Sequence, residues 1–278
     1  MKKTTTRLLA TLLAALLLCG VLPLSTAAEG VDITAAFTDP AFRAAVQELV
    51  GKEVILDTDV AGVTELDVFG WDYDKESVGN IKSLAGLEYF ISLTLLDCRY
   101  NQITTLPALP SGLKELYCVD NQLTSLPELP SSLIKLSCGS NRLASLPVLP
   151  LNLSELQCNG NFLTSLPALP TSLLRLYCYE NQLSELPALP PGLLLLWCQD
   201  NQLTSIDVTD LQLERLDCRW NNMTSESDVI GFTGEWTRHT FIFNPQNTEP
   251  THFWSTWPPF LQWLLEYVLF GWLWMRLF

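Results

Sequence analysis

The stretch LKELYCVDNQLTSLPELP, from Leu113 to Pro130, carries the pattern that decides the fold. From Ile91 to Ile230 this pattern recurs seven times at intervals of twenty residues, without an insertion or a deletion. Its consensus is xxLxxLxCxxNxLxxLPxLP, and a unit this short cannot bury its apolar side chains alone. Successive units must therefore stack on one another, and the spacing predicts a solenoid.

Each column of the repeat has a role in such a stack. The alternation in LxxLxC directs Leu116 and Cys118 to the same side of a short strand, and stacked strands form a parallel β-sheet on the concave face. The asparagine, Asn121 here, bends the chain out of the strand, and we expect its amide to bond backbone groups of its own turn and the next. Prolines in LPxLP fix φ and lack an N–H, which favours an extended, polyproline-like convex side.

One cysteine stands in every repeat, at positions 98, 118, 138, 158, 178, 198 and 218. A free cysteine packs as a small hydrophobic residue, and this column suits an apolar side chain. Zinc sites use cysteines two to four residues apart, and a nucleophilic thiol needs a neighbouring base, whereas the repeats contain neither such a pair nor a histidine. We therefore predict a buried ladder of free thiols, with occasional disulfides between turns as the alternative.

The repeat is identified as a leucine-rich repeat, and its LPxLP halves resemble the short repeats of type III effectors from enteric bacterial pathogens. The segment NIKSLAGLEYFISLTLLDCRYNQIT, from Asn80 to Thr104, is similar to internalin-like surface proteins. These resemblances cover about residues 38–245 and imply a bacterial interaction protein that is secreted or displayed on the cell surface. The ubiquitin-ligase domain of some such effectors has no match here, because no cysteine follows Cys218.

The two ends of the chain carry other signals. Residues 1–28 are typical of a secretory signal peptide, with Lys2 and Lys3 before an apolar run and small residues before a cleavage site near Ala28. Residues 253–278 form a hydrophobic tail with five of the nine tryptophans. As a helix, residues 260–278 would be about 28 Å long. We predict membrane contact through this C-terminal helix, with an interfacial position or self-association as alternatives.

Caps are expected where the solenoid would otherwise expose its core. Residues 29–90 are interpreted as an N-terminal cap and a first, atypical repeat, and TDPAFRAAVQELVGK predicts a short cap helix with Asp39 as N-cap, Pro40 in the first turn and Gly51 at its end. Residues 231–252, after the seven repeats of residues 91–230, are interpreted as a C-terminal cap and linker. The acidic turn at residues 57–62 lacks the spacing of a calcium loop, so we predict no metal.

Composition and charge restrict the function. The net charge of −14 argues against a nucleic-acid partner, because phosphate binding needs a basic surface. The sequence has no phosphate-binding loop, no metal-ligand spacing and no nucleophile–histidine–acid set. We therefore predict a protein that is not an enzyme and needs no cofactor.

The outward side chains of the strands form the concave face and are not needed by the core. Tyrosine, tryptophan and arginine dominate the energetically important contacts of protein interfaces, and on this face most of them gather in the fourth to seventh repeats. A glycan is an alternative ligand, and a structural protein that assembles through its tail is the alternative function. We predict that a protein partner, from a host or from the cell surface, binds Tyr117, Arg175, Tyr177, Tyr179, Trp197, Arg219 and Trp220.

Overall fold

The computed structural model describes residues 30–70, 79–237 and 240–247. The predicted signal peptide and the predicted tail helix lie outside the described residues, so export and membrane attachment stay predictions. Within the three described ranges, no helix is both long enough and apolar enough to cross a membrane.

The predicted solenoid with a parallel β-sheet is confirmed. One short strand from each turn pairs in parallel with the strand of the next turn, and the register advances by one repeat, so that Leu96 lies opposite Leu116 and Leu116 opposite Leu136. The main sheet follows the chain in the order β1-β2-β3-β4-β5-β6-β7-β9-β11. The strands are Glu65–Asp67 (β1), Leu95–Asp97 (β2), Glu115–Tyr117 (β3), Lys135–Ser137 (β4), Glu155–Gln157 (β5), Arg175–Tyr177 (β6), Leu195–Trp197 (β7), Ile206–Asp207 (β8), Arg215–Asp217 (β9), Val229–Ile230 (β10) and Phe241–Ile242 (β11).

The apolar columns of the consensus form one continuous core. In the second repeat, the side chains of Leu113, Leu116, Cys118 and Leu123 have no solvent exposure. Burial of one leucine side chain stabilises a fold by roughly 1.5–3 kcal/mol, and the same columns are buried turn after turn. The stability of each turn therefore depends on its neighbours, as expected for a solenoid.

The N-terminal cap helix, α1, spans Pro40–Val50. Oδ1 of Asp39 accepts hydrogen bonds from the backbone N–H groups of Ala41 (2.9 Å) and Phe42 (3.1 Å), which is the N-cap role expected from the sequence. Gly51 ends the helix with a left-handed φ of 69°, which a glycine adopts without a steric penalty. The side chain of Phe42 is fully buried, so the helix covers the open end of the core.

Asp39 also ties the cap helix to the solenoid. Its Oδ2 accepts hydrogen bonds from the backbone N–H groups of Lys82 (2.8 Å) and Ser83 (3.2 Å), more than forty residues away. Burial raises the pKa of this carboxyl, but its four backbone hydrogen bonds outweigh burial and hold the pKa below its usual value. The remaining short helices are α2 (Asp57–Val60) and the 3₁₀ turns Thr34–Ala36, Leu87–Tyr89 and Glu226–Asp228.

The convex side differs in structure between the first five repeats and the last two. In the five LPxLP halves between residues 106 and 190, which are all described, the chain forms neither helix nor strand, as the prolines predict. In the sixth and seventh repeats, which lack the LPxLP motif, the convex side contains two short strands. There β8 and β10 pair in parallel, with Val208 N–H donating to Ile230 O at 2.9 Å. The reason is that these two repeats lack the prolines, so their N–H groups are available for a strand ladder.

Aromatic residues cover the last turn of the solenoid. Strand β11 pairs with β9 and extends the main sheet by one strand. The ring centroids of Phe232 and Trp236 lie 4.2 Å apart, and those of Trp236 and Phe243 lie 5.4 Å apart. Phe243 is buried, so this end of the core is closed by packed rings rather than by a further repeat.

Candidate functional site

A ladder of asparagines sets the path of the chain at the end of each strand. Asn161 donates from Nδ2 to the carbonyls of Cys158 and Asn159 in its own turn, each at 3.1 Å. It also donates to Cys138 O (3.1 Å) and accepts from Leu143 N–H (2.9 Å), both in the preceding turn. The prediction that the amide bonds the next turn is therefore wrong in direction. A backbone N–H two residues after one ladder asparagine, such as that of Leu143, donates to the asparagine of the following turn. Each asparagine amide therefore bonds the turn before it.

The residue before each ladder asparagine has a left-handed backbone. This conformation is unfavourable for residues other than glycine, and the sequence pattern did not indicate it. It turns the chain sharply at the edge of the concave face, where these residues form one row. Gly160 has a φ of 61°, and φ lies between 49° and 57° at Tyr100, Asp120, Ser140, Glu180, Asp200 and Trp220.

Three rings come together on the C-terminal half of the concave face. Tyr177 ends β6 and Trp197 ends β7, directly opposite each other in register. Their ring centroids are 5.2 Å apart and their planes meet at 88°. Tyr179 approaches the same tryptophan, with centroids 6.4 Å apart and an interplanar angle of 56°. We call these three half-buried residues the aromatic cluster. Their rings form walls at steep angles rather than one flat platform.

Charged groups next to the aromatic cluster are paired across the strands. Arg175 lies 3.5 Å from Glu155 in an ion pair between β6 and β5. Burial raises the pKa of Tyr177, and the Glu155 carboxylate raises it further against the opposing effect of Arg175 and Arg215. The hydroxyl of Tyr177 therefore stays protonated at physiological pH and remains a hydrogen-bond donor.

The turn that follows the cluster carries a rigid arginine. Asp217 accepts hydrogen bonds from Arg219 Nε (3.0 Å) and Nη2 (2.6 Å), and the guanidinium carbon lies 4.7 Å from the ring centroid of Trp220. Asp217 is buried, at 6% exposure. Because this bidentate pair fixes the position of the guanidinium group, Arg219 loses little conformational entropy when it contacts a ligand.

The same arrangement occurs at the other end of the concave face. Arg99 donates from Nε to Asp97 Oδ1 at 2.9 Å, and its guanidinium carbon lies 5.2 Å from the Phe69 ring and 5.4 Å from the Tyr117 ring. Sequence reasoning did not select Arg99 or Phe69 as site residues. The available signal was the motif Asp-Cys-Arg-aromatic, which the seven repeats contain only in the first and the last, as DCRY and DCRW.

The seven residues predicted to bind a partner therefore fall into two groups. Six of them lie together, in the aromatic cluster and in the adjoining Arg175, Arg219 and Trp220. Tyr117 stands apart in β3, three strands from β6. Its hydroxyl donates to the Glu115 carboxylate, and burial, together with this carboxylate, raises its pKa.

Small side chains separate the two groups. Gly139, Ser140 and Gly160 occupy the corresponding positions in the third and fourth repeats. Asp120 borders this low region, and burial raises the pKa of its carboxyl to about 6. Aromatic side chains thus stand at two places on the concave face, with Gly139, Ser140 and Gly160 among the residues between them.

Several outward positions are less open than the alternation of the strands suggests. Gln199 follows β7 on the concave side but is only 7% exposed. The neighbouring turns place the larger Tyr179 and Arg219 on either side of it, because Glu180 N–H donates to Gln199 O and Asp200 N–H donates to Arg219 O. Its Oε1 is buried and has no hydrogen-bond partner among the described residues. Gln199 is thus a third residue that sequence reasoning did not select, and nothing in the repeat pattern signals it.

The cysteine ladder has no open thiol. All seven cysteines between Cys98 and Cys218 are buried and free, as predicted. Burial raises the pKa of every one of them, and brings those of Cys138, Cys178 and Cys218 to about 12. Each thiol is therefore protonated at physiological pH, so the ladder serves packing and offers no nucleophile at the surface.

The repeats, the stacked parallel strands and the asparagine ladder define a leucine-rich repeat protein. A family model described as leucine-rich repeats in two copies matches residues 91–131. Among proteins with curated descriptions, none matches this chain.

Solved structures of bacterial proteins resemble this chain. The leucine-rich effector YopM from Yersinia pestis is 34% identical over 60% of this chain, with a TM-score of 0.52. A Shigella effector leucine-rich repeat domain is 35% identical over 59% of this chain and 72% of its own length, with a TM-score of 0.49. The functional domain of InlJ from Listeria monocytogenes, described as including a cysteine ladder, is 27% identical over 73% of this chain and 55% of its own, with a TM-score of 0.43. The chain spans only 46% of the Yersinia pestis YopM.

Proposed function

We propose that this chain is an exported, non-catalytic protein that binds a protein partner through its concave face. The observation that carries the proposal is the aromatic cluster of Tyr177, Tyr179 and Trp197, which the core does not need and which stays half-exposed. Leucine-rich repeat solenoids present such extended concave surfaces to their ligands.

The composition of the C-terminal group supports binding of a protein. Tyrosine and tryptophan offer large contact areas with few rotatable bonds, and arginine adds bidentate hydrogen bonds, so these types dominate interface hot spots. Arg219 is already held by Asp217 in a bidentate pair, whereas Arg175 forms a single, longer ion pair with Glu155. A partner would therefore meet an arginine that is ordered before binding, which lowers the entropic cost of association.

Pull-down experiments with matched variants test this proposal. The full chain, the triple variant Tyr177→Ala/Tyr179→Ala/Trp197→Ala and a control variant are used as baits for host and bacterial extracts. The control removes three exposed apolar side chains outside the sheet strands, as Val148→Ala/Leu151→Ala/Phe162→Ala. We expect the wild type and the control to capture the same partner and the cluster variant to lose it. Equal capture by all three proteins would show that the proposed face is wrong.

We also propose that the protein is exported by residues 1–28 and held at the cell surface by the tail of residues 253–278. The apolar run of the N-terminus and the five tryptophans of the tail support this location. Deletion of residues 253–278 should release the protein into the soluble fraction with its partner binding intact. A truncated protein that stays in the membrane fraction would contradict attachment through the tail.

The aromatic tail also favours a second candidate function, a structural protein that assembles through residues 253–278. The same deletion separates the two functions. A binding protein keeps its partner after the truncation, whereas an assembly protein loses its oligomers and with them its function. Size-exclusion chromatography with light scattering, on the full and the truncated chain, measures the difference.

A further inference from the structure

The concave face contains one buried polar atom whose bonding is incomplete. Oε1 of Gln199 has no hydrogen-bond donor among the described residues, although Gln199 is only 7% exposed. A buried acceptor without a donor normally costs stability, and such groups are rare in folded proteins. On a binding face, such an acceptor is available to a donor that arrives with a ligand.

Another glutamine on the same face shows the usual arrangement. Gln157 ends β5, where its Oε1 accepts from the Ser137 hydroxyl at 2.7 Å and its Nε2 donates to Glu155 Oε1 at 2.8 Å. The face can therefore satisfy a glutamine amide by its own side chains. Gln199 differs because its neighbours in register, Tyr179 and Arg219, give its oxygen no bond.

The rings beside Gln199 are arranged for a particular kind of ligand group. Tyr177 meets Trp197 at 88° and Tyr179 meets it at 56°. Tyr177 and Trp197 are already in edge-to-face contact, so a ligand group meets the ring faces that this contact leaves uncovered. The electron-rich faces of tyrosine and tryptophan attract a cation.

The charges around the cluster are mixed. The net charge of the chain is −14, and the residues that follow Tyr179 and Gln199 are the acidic Glu180 and Asp200. Arg175 is paired with Glu155 and Arg219 with Asp217, while Arg215 also acts on Tyr177 and opposes the rise of its pKa. The rings and the acceptor of Gln199, rather than the charges, therefore favour a cation.

From these observations we infer that the aromatic cluster and Gln199 form a subsite for one cationic side chain, a lysine or an arginine, of the protein partner. The inference rests on the proposed function and specifies the chemistry of its central contact. The cation lies against the ring faces, and one of its N–H groups donates to Gln199 Oε1 after a shift of the half-buried Tyr179 side chain. Both lysine and arginine carry several donors and no acceptor, which matches the unmet acceptor of the site.

Such a subsite makes stability and binding change in opposite directions. The variant Gln199→Leu removes the unpaired acceptor while it retains an apolar side chain of similar length, so we expect its melting temperature to equal or exceed that of the wild type. The same variant should bind a cationic ligand about tenfold more weakly, as expected for the loss of one hydrogen bond to a charged group. The matched control Gln157→Leu should instead lower the melting temperature, because Ser137 loses its acceptor.

The test uses the full chain and a phage-displayed library of random twelve-residue peptides. Peptides are selected on the wild type and counter-selected on Trp197→Leu, a variant that removes one wall of the subsite. The best peptide is synthesised twice, once as selected and once with its common cationic residue replaced by norleucine. Both peptides are then titrated against the wild type, Gln199→Leu and Gln157→Leu by fluorescence anisotropy.

We expect a lysine or an arginine at one shared position of the selected peptides. Its replacement by norleucine should weaken binding to the wild type more than tenfold and binding to Gln199→Leu by clearly less, because the variant keeps the rings but not the acceptor. Selected peptides with an acidic or apolar anchor, or an equal norleucine effect on both proteins, would overturn the cationic subsite and leave the proposed function standing. Failure to select any peptide that distinguishes the wild type from Trp197→Leu, or binding of an arrayed oligosaccharide in place of peptides, would overturn both.

Discussion

Replacement of Asn161 by alanine tests the physical basis of the solenoid most directly. Asn161 lies in the middle of the ladder and is only 6% exposed. Its side chain makes four hydrogen bonds, three as donor and one as acceptor. The variant Asn161→Ala removes all four without a change of charge or of the apolar core.

The expected cost follows from which groups lose their last partner. The three carbonyls keep a second donor: Cys138 O is bonded by Asn141, Cys158 O by Asn181, and Asn159 O by the backbone N–H of Ser140. The N–H of Leu143 has no other acceptor among the described residues. One buried orphaned N–H and a small cavity together predict a loss of about 3 kcal/mol in the free energy of unfolding.

Urea unfolding followed by circular dichroism measures this loss, and hydrogen exchange of the Leu143 amide locates it. The control is Asn152→Ala, which removes an exposed asparagine with one hydrogen bond, to Ser131 O at 3.1 Å. We expect the control to change the free energy of unfolding by less than about 0.5 kcal/mol. A cost below about 1 kcal/mol for Asn161→Ala at an unchanged m-value would refute the reasoning, because an orphaned buried group costs at least that much.

The variant Asn161→Asp adds a pH dependence to the same experiment. Its carboxyl keeps the acceptor for Leu143 but, when ionised, faces the carbonyl oxygens of Cys138, Cys158 and Asn159. Burial and these carbonyls should raise its pKa in the folded state above the unfolded value of about 3.9. The variant should therefore be least stable, relative to the wild type, near neutral pH and should recover as the pH falls toward about 4. A gap between the two proteins that is independent of pH would contradict this.

Three further predictions concern the ladder thiols and the two caps. A bulky aromatic disulfide reagent should leave Cys98 to Cys218 unlabelled in the native, unreduced protein and label them only on unfolding, because burial keeps each thiol protonated and covered; rapid labelling of most of them would contradict the buried ladder. Asp39→Ala should lower the free energy of unfolding by about 2 kcal/mol at pH 7, as measured by urea unfolding. This difference should shrink below about pH 4, because the backbone hydrogen bonds that lower the pKa of Asp39 stabilise the fold only while the carboxyl is ionised. Gln246→Ala should speed hydrogen exchange of the Asn221 amide, which donates to Gln246 Oε1 at 3.0 Å, while amides of the third and fourth repeats stay unchanged.

Gln246 also illustrates a limit of sequence reasoning. At the end of the solenoid no asparagine follows Asn221 at the repeat interval, yet Gln246 Nε2 donates to Cys218 O at 3.0 Å, as a ladder asparagine would. The residue stands twenty-five positions after Asn221 rather than twenty, so no periodic pattern could identify it. It takes the place of the next asparagine only because the folded cap brings it there.

The candidate site was predictable in part. Spacing alone placed Tyr177 and Trp197 on one face, because a fixed period puts equivalent columns side by side in a parallel sheet. It could not give the angle between their rings, the pairing of Arg219 with Asp217, or the burial of Gln199 between Tyr179 and Arg219. These features depend on which side chains lean toward each other across neighbouring turns.

The sequence by itself determined the solenoid, the buried column of thiols, the N-cap at Asp39 and the face that is left free for binding. Each of these follows from a pattern within one repeat or one helix, where local geometry and burial act on neighbouring residues. Only the tertiary structure decided the backward direction of the asparagine bonds, the strand pair of β8 and β10, and the unpaired oxygen of Gln199. Those features arise between turns, where contacts depend on the side chains of two or three repeats at once.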